Sequence, residues 1–119
     1  MVQKRQTRTK EIHPGDVVVV SFPGVKGLKR RPAVVVSTDG YHSARPDVII
    51  GLLTSQIGSA TTPTDYVLRD WTTAGLQHPS AFRAFLVTLP KTSVKVVGHL
   101  SDFDWKEIQT CLRRAIAVS

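Results

Sequence analysis

The chain has 119 residues, 41% hydrophobic and 21% charged, which is the size and balance of one globular domain and excludes a disordered tract. Sixteen Lys and Arg against nine Asp and Glu give a net charge of +7, which favours polyanionic partners: nucleic acid, an anionic membrane or an acidic protein. The single cysteine, Cys111, excludes an internal disulfide, and no apolar run approaches the ~18 residues of a membrane span.

Residues 1–12 read as a basic leader. Lys4, Arg5, Arg8 and Lys10 crowd it and no acid interrupts its first ten residues, as in a solvated terminus. It lacks the apolar core of a signal peptide, so the expected location is cytoplasmic. Residues 13–119 read as one domain. His13-Pro14-Gly15-Asp16 is a turn. The β-branched run 17–22 is a buried strand, and 24–31, with two glycines and four basic residues, is a loop. A second strand covers 33–37, with Pro32 confined to its first position because proline cannot donate to a ladder. Residues 38–46 are turn-rich, 47–54 form an apolar third strand, 55–64 a loop and 65–68 a short strand. Asp70 to Gly75 suits one helical turn, Asp70 as N-cap and Gly75 as the left-handed stop. Two further strands, 81–89 and 93–97, are expected to form a hairpin across Pro90-Lys91-Thr92.

The last segment is an amphipathic helix. Ser101 is its N-cap, with Asp104 three residues on. Trp105, Ile108, Leu112 and Ala115/Ile116 form its apolar stripe, Cys111 is a small core residue, and Arg113 and Arg114 suit the negative end of the helix dipole. Many short strands closed by one helix give a mainly β fold: a small, partly closed β-barrel packed by a C-terminal α-helix.

Three groups of residues could carry chemistry. In Lys29-Arg30-Arg31-Pro32 the proline pushes Arg31 towards an extended backbone, and a guanidinium fixed there offers a planar fork to a phosphate. The same run reads equally as a basic loop that keeps the domain soluble. Thr54-Ser55-Gln56 places three hydrogen-bonding side chains where the third strand hands over to a loop, a common position for functional groups and also ordinary loop chemistry. Ser80 begins a strand that carries Arg83, whose default reading is an outward residue with no task. His13, His42, His78 and His99 show no metal-ligand spacing, and the carboxylates form no obvious cluster, so no metal or cofactor is implied. Asp102 and Asp104 read as first-turn helix residues.

These segments have an order. Gly15-Asp16-Val17-Val18, Arg31-Pro32-Ala33-Val34-Val35-Val36-Ser37 and Leu53-Thr54-Ser55-Gln56-Ile57 resemble the PemK/MazF family of toxins in sequence and spacing. Thr64-Asp65-Tyr66, Asp70-Trp71, Ala74-Gly75-Leu76, Pro79-Ser80, Gly98-His99-Leu100-Ser101 and Asp104-Trp105 resemble one branch of it. The resemblance runs from about His13 onward. It implies a Src-homology-3-like barrel shared with the CcdB toxins, a homodimer and an antitoxin partner. It also implies a metal-independent endoribonuclease that leaves a 2′,3′-cyclic phosphate and a 5′-hydroxyl. Arg31 and Thr54 occupy the positions of the family's catalytic pair. Lys29, Arg30, Ser55, Gln56, Ser80 and Arg83 are then the expected RNA-binding set. Many family members carry a longer first loop with a serine. Here the loop lacks that serine and is more basic.

What removes the proton of the attacking 2′-hydroxyl is left open. Arginine is a poor base, and His42 and His78 are candidates by default only. Two other readings compete with the ribonuclease: a CcdB-like toxin that binds a topoisomerase without chemistry, and a barrel that binds nucleic acid without cutting it. The first does not need the Arg-Pro and Thr-Ser-Gln elements. The second usually stacks bases on exposed aromatics, whereas Phe22, Phe82 and Phe85 are expected in core strands.

Overall fold

The computed structural model describes residues 11–24 and 27–118, with the backbone alone at residues 22–24, 27 and 28. The basic cluster of the leader lies outside the described residues. Ile12 packs against the buried cluster that includes Val18 and Val20.

Strands β1 (Asp16–Gly24) and β2 (Gly27–Val35) form one antiparallel hairpin, from Val17 opposite Val34 to Gly24 opposite Gly27. The expected loop over 24–31 is therefore mostly strand. Its glycines and basic residues have weak strand preference, but the β-branched β1 supplies a continuous ladder, and strand preference yields to such context. Pro32 is correspondingly not the first residue of its strand. It sits opposite Val19, one residue before β2 begins to pair with β3 (Asp47–Thr54) at Ala33. On the β3 side nothing asks for the N–H that proline lacks. Residues 29–31 thus lie on the β1–β2 hairpin past the end of the β2–β3 ladder.

The turn-rich segment holds a short helix, α1 (Asp39–Ala44), capped by the Thr38 hydroxyl, which accepts from the Tyr41 amide at 3.1 Å. Strands β4 (Tyr66–Val67), β5 (Ala81–Pro90) and β6 (Val94–His99) complete a six-stranded antiparallel sheet of order β4-β5-β3-β2-β1-β6, curled into a half-barrel. The expected β5–β6 hairpin does not form. β5 pairs with β3 and β4, β6 pairs with β1, and the short helical turn Lys91–Ser93 carries the chain across. The Lys91 amide donates to the Pro46 carbonyl at 2.8 Å, which ties this crossing to the start of β3.

Alternation along the strands divides the core in two. Val17, Val34, Leu53 and Phe82 pack under helix α2 (Asp102–Ala115), while Val18, Val20, Ala33, Val35, Val48 and Ile50 form a second cluster on the other face. Ser101 caps α2, accepting from the Asp104 amide at 3.1 Å. The buried stripe of α2 is Asp104, Ile108 and Cys111, flanked by Trp105 and Leu112. Ala115 and Ile116 are exposed where the helix ends. Burial pushes the Cys111 thiol up, which keeps it protonated, as suits a core residue.

Asp104 is more than a first-turn residue. It is fully buried, and its carboxylate accepts from the Tyr66 hydroxyl at 2.6 Å, the Arg69 amide at 3.0 Å and the Asp70 amide at 2.8 Å. Asp70 itself does not cap a helix: its carboxylate takes the Arg69 guanidinium at 3.0 Å, and residues 71–75 form turns. Gly75 has φ +89°, the left-handed stop expected of it. Phe85, expected in the core, is 57% exposed on β5.

Candidate active site

The β1–β2 ribbon and the segment between β4 and β5 enclose a cleft of ≈ 530 Å³. Arg30, Arg31 and Pro32 come to it from β2, Ser55 from the end of β3, and His78 and Ser80 from the opposite wall. That wall is fixed from behind. A Cβ on Gly98 would strike the Ala74 carbonyl, and one on Gly75 would come within 2.8 Å of the Val97 carbonyl, so the 74–76 turn lies directly on β6. Asp104 holds the start of the same segment through two backbone amides.

Arg31 pairs with Val20 and Arg30 with Ser21 across the ribbon. Lys29, Arg30 and Arg31 are all exposed, and among the described residues none of them makes an ion pair with a carboxylate. Their charge is therefore free to meet an anion. Ser80 is 3% exposed, and its hydroxyl donates to the His78 carbonyl at 2.8 Å. Ser80 thus shapes the wall and has no spare proton for a ligand.

The other sequence candidates lie around this cleft. Thr54 closes β3 opposite Ala81 and is half-buried, and its hydroxyl accepts from the Gln56 amide at 3.1 Å. That bond turns the chain so that Ser55 faces the cleft. Gln56 uses its backbone carbonyl to accept from the Ser59 hydroxyl at 2.8 Å, leaving its side chain exposed. Arg83 is exposed on β5 near Asp65, whose carboxyl is held below the usual range mainly by hydrogen bonds from Thr62 and in part by the Arg83 charge. Lys29, Thr54, Gln56 and Arg83 are not among the residues that line the cleft.

His78, a candidate base by default only in the sequence, lines the cleft beside Leu76 and Gln77, which the sequence does not mark as site residues, although Gly75 and Pro79 mark the turns that present them. His42 proves to be elsewhere. It is buried beside a larger cavity of ≈ 760 Å³ that His13, Asp39 and Lys91 also line, and its Nε2 lies 2.6 Å from the Ser37 hydroxyl. That cavity contains none of the residues 29–31, so the smaller cleft is the better candidate site. Among the described residues, no group of three or more His, Cys, Asp or Glu is placed to hold a metal ion.

The site is thus a half-barrel packed by one C-terminal helix, with an arginine pair that has no carboxylate partner among the described residues facing a cleft at the mouth of its first hairpin. The sequence pattern of the PemK-like, MazF-like toxins of type II toxin–antitoxin systems matches residues 13–116, and the chain belongs to that family. No curated protein matches the sequence significantly. Among solved structures, an endoribonuclease in complex with its cognate antitoxin from a mycobacterial species is similar, with 21% identity and TM-score 0.73, covering 89% of this chain and 94% of that one. A MazE–MazF structure from Deinococcus radiodurans superposes with TM-score 0.72 at 18% identity, over 90% of this chain and 97% of that one. The Mycobacterium tuberculosis toxin MazF-mt6 does so with TM-score 0.67 at 14% identity, over 84% and 94%. These likenesses show the fold.

Proposed function

We propose that this toxin is a metal-independent endoribonuclease that cuts single-stranded RNA, leaving a 2′,3′-cyclic phosphate and a 5′-hydroxyl. The observation that carries the reading is Arg31: an exposed guanidinium, without a carboxylate partner among the described residues, on a strand position restrained by Pro32 and facing a cleft it shares with Arg30 and Ser55.

In this reaction the 2′-oxygen attacks the adjacent phosphorus, and the transition state carries extra negative charge on the non-bridging oxygens. Oriented charged donors act where that charge develops. Arg31 clamps those oxygens. Thr54, at the end of β3, donates to the phosphate or orients Arg31. Its hydroxyl accepts from the Gln56 amide and so keeps its own proton free to donate, with the turn intact. Lys29 and Arg30 hold the RNA backbone, and Ser55, Gln56, Ser80 and Arg83 complete the RNA-contacting surface, with Ser80 acting through the wall it shapes. The absence of a carboxylate among the described residues that line the cleft supports chemistry without a metal ion.

The protein acts as a cytoplasmic homodimer whose subunits both shape the RNA groove. Val97, 41% exposed at the cleft, and Phe85 are apolar surface that a second subunit would cover. Among the described residues no helix is long and apolar enough to cross a membrane. The antitoxin supplies an acidic, partly disordered segment that folds over Arg31 and excludes RNA. Incubating the purified protein with a long RNA and mapping the cut ends tests the reading.

A further inference from the structure

Arg31 and His78 share one position in the chain's grammar. Each stands immediately before a proline, Pro32 and Pro79, and the two line the same cleft from opposite walls. Proline pushes the residue before it out of the helical region into an extended backbone. His78 is restrained further. Its carbonyl accepts from the buried Ser80 hydroxyl at 2.8 Å, and the Ser80 carbonyl accepts from the Leu68 amide at 2.9 Å. The backbone of His78 is fixed while the residue is exposed to the cleft, and its ring makes no hydrogen bond to any described residue. Groups that must meet reacting atoms in one geometry are well carried on such restrained backbone.

The polar residues that line the cleft leave one chemical role to one side chain. Arg30 and Arg31 are permanently protonated donors and accept nothing. Ser55 and Gln77 are too weakly basic to hold a proton near neutral pH, and the Ser80 hydroxyl is committed to the His78 carbonyl. No carboxylate lines the cleft among the described residues. A neutral imidazole is the one group there that can take a proton, and histidine is the side chain whose ordinary titration falls between about pH 5 and 8. The remaining described histidines are placed otherwise: His42 beside the other cavity, His13 between Glu11 and Asp39, and His99 against Asp16 at 2.7 Å.

We propose that His78 is the general base that deprotonates the 2′-hydroxyl of the RNA. The assignment rests on the ribonuclease reading above. Neutral His78 takes the 2′-hydroxyl proton as the 2′-oxygen forms its bond to phosphorus. The bond from phosphorus to the 5′-oxygen breaks, and that oxygen leaves with a proton from water. The products are the 2′,3′-cyclic phosphate and the 5′-hydroxyl, and the histidinium returns its proton to solvent. Arg31 stabilises the added phosphoryl charge.

The test is single-turnover cleavage of a short single-stranded RNA by the full chain at saturating protein, from about pH 5 to 9, spanning the histidine range. Wild type, His78→Ala and His78→Gln are compared, with RNA affinity and Tm measured in parallel. A second substrate carries sulfur in place of the bridging 5′-oxygen, a leaving group that needs no proton. The wild-type rate rises with pH and levels off as histidine deprotonates. Both variants lose that limb and fall by about 10²–10⁴, with affinity and Tm nearly unchanged. They stay slow on the sulfur substrate, and added imidazole restores part of the His78→Ala rate. Wild-type rate and profile in the variants overturn the assignment. So does full recovery on the sulfur substrate, which would make His78 the acid for the leaving group. If wild type itself cuts no RNA, the ribonuclease reading fails and takes this assignment with it.

Discussion

The Tyr66 hydroxyl donates to the fully buried carboxylate of Asp104 over 2.6 Å, joining β4 to the first turn of α2. The same carboxylate accepts the amides of Arg69 and Asp70, so one side chain fixes the point from which the cleft wall departs. Asp104→Ala leaves three donors without their acceptor, and each buried unmade bond costs about 1–3 kcal/mol. The expected loss of stability is therefore larger than that of Tyr66→Phe, which removes one bond worth about 1 kcal/mol. Urea titrations of both variants measure the difference.

The pair also has a pH signature. Burial, then the hydrogen bond to Asp104 and its charge, hold the Tyr66 hydroxyl well above the ordinary tyrosine range. Below the unfolded value, about 10, both states keep the proton and the pair's contribution is complete. Above it the unfolded chain releases a proton that the folded chain retains, so stability falls as pH rises. Unfolding followed from about pH 9 to 11 across that value should show this slope in wild type. Tyr66→Phe should remove it.

Gly98 tests the wall from its other side. A methyl group there strikes the Ala74 carbonyl, so the turn bearing Gly75 must lift off β6. Gly98→Ala is expected to cost about 1–3 kcal/mol, as overpacking does. It should also speed hydrogen exchange at residues 74–78 while leaving β1 and β2 protected. Unchanged exchange there would mean that the turn does not depend on this packing.

Much of this was legible in the sequence and some was not, for identifiable reasons. The β-branched runs of β1 and β3 and the capped helix behind Ser101 could be read directly, because burial and capping are local patterns. The reach of β2 through Lys29 to Arg31 could not, since those residues become strand only against β1. Pro90-Lys91-Thr92 has the chemistry of a hairpin turn, yet β5 and β6 find separate partners in β3 and β1, a matter of how the sheet curls. Asp104 reads as a first-turn residue because its partners Tyr66, Arg69 and Asp70 lie 34–38 positions away. His78 has no spacing signal at all; only the closing of the cleft sets it opposite Arg31.

On the proposed ribonuclease function, binding and catalysis separate along the ribbon. Lys29→Ala and Arg30→Ala remove exposed charges proposed to hold RNA phosphates. They should weaken binding and lower its salt slope by about 0.7 for each phosphate of a single strand that is no longer neutralised, with the rate at saturating RNA retained. Arg31→Ala should lower that saturated rate by about 10²–10³, the usual effect of losing one oriented donor. Arg31→Lys keeps the charge without the fork and should recover little. Stability should barely change in any of them, because all three residues are exposed.

On the proposed function, the cleft at Arg31 cuts RNA by its own side chains. The most direct test is to incubate the purified chain with a long single-stranded RNA in EDTA and map both ends of every fragment. Discrete cuts with 2′,3′-cyclic phosphate and 5′-hydroxyl ends are expected, abolished or greatly slowed by Arg31→Ala. Intact RNA in EDTA that is cut once magnesium is added, or 5′-phosphate ends, would contradict it.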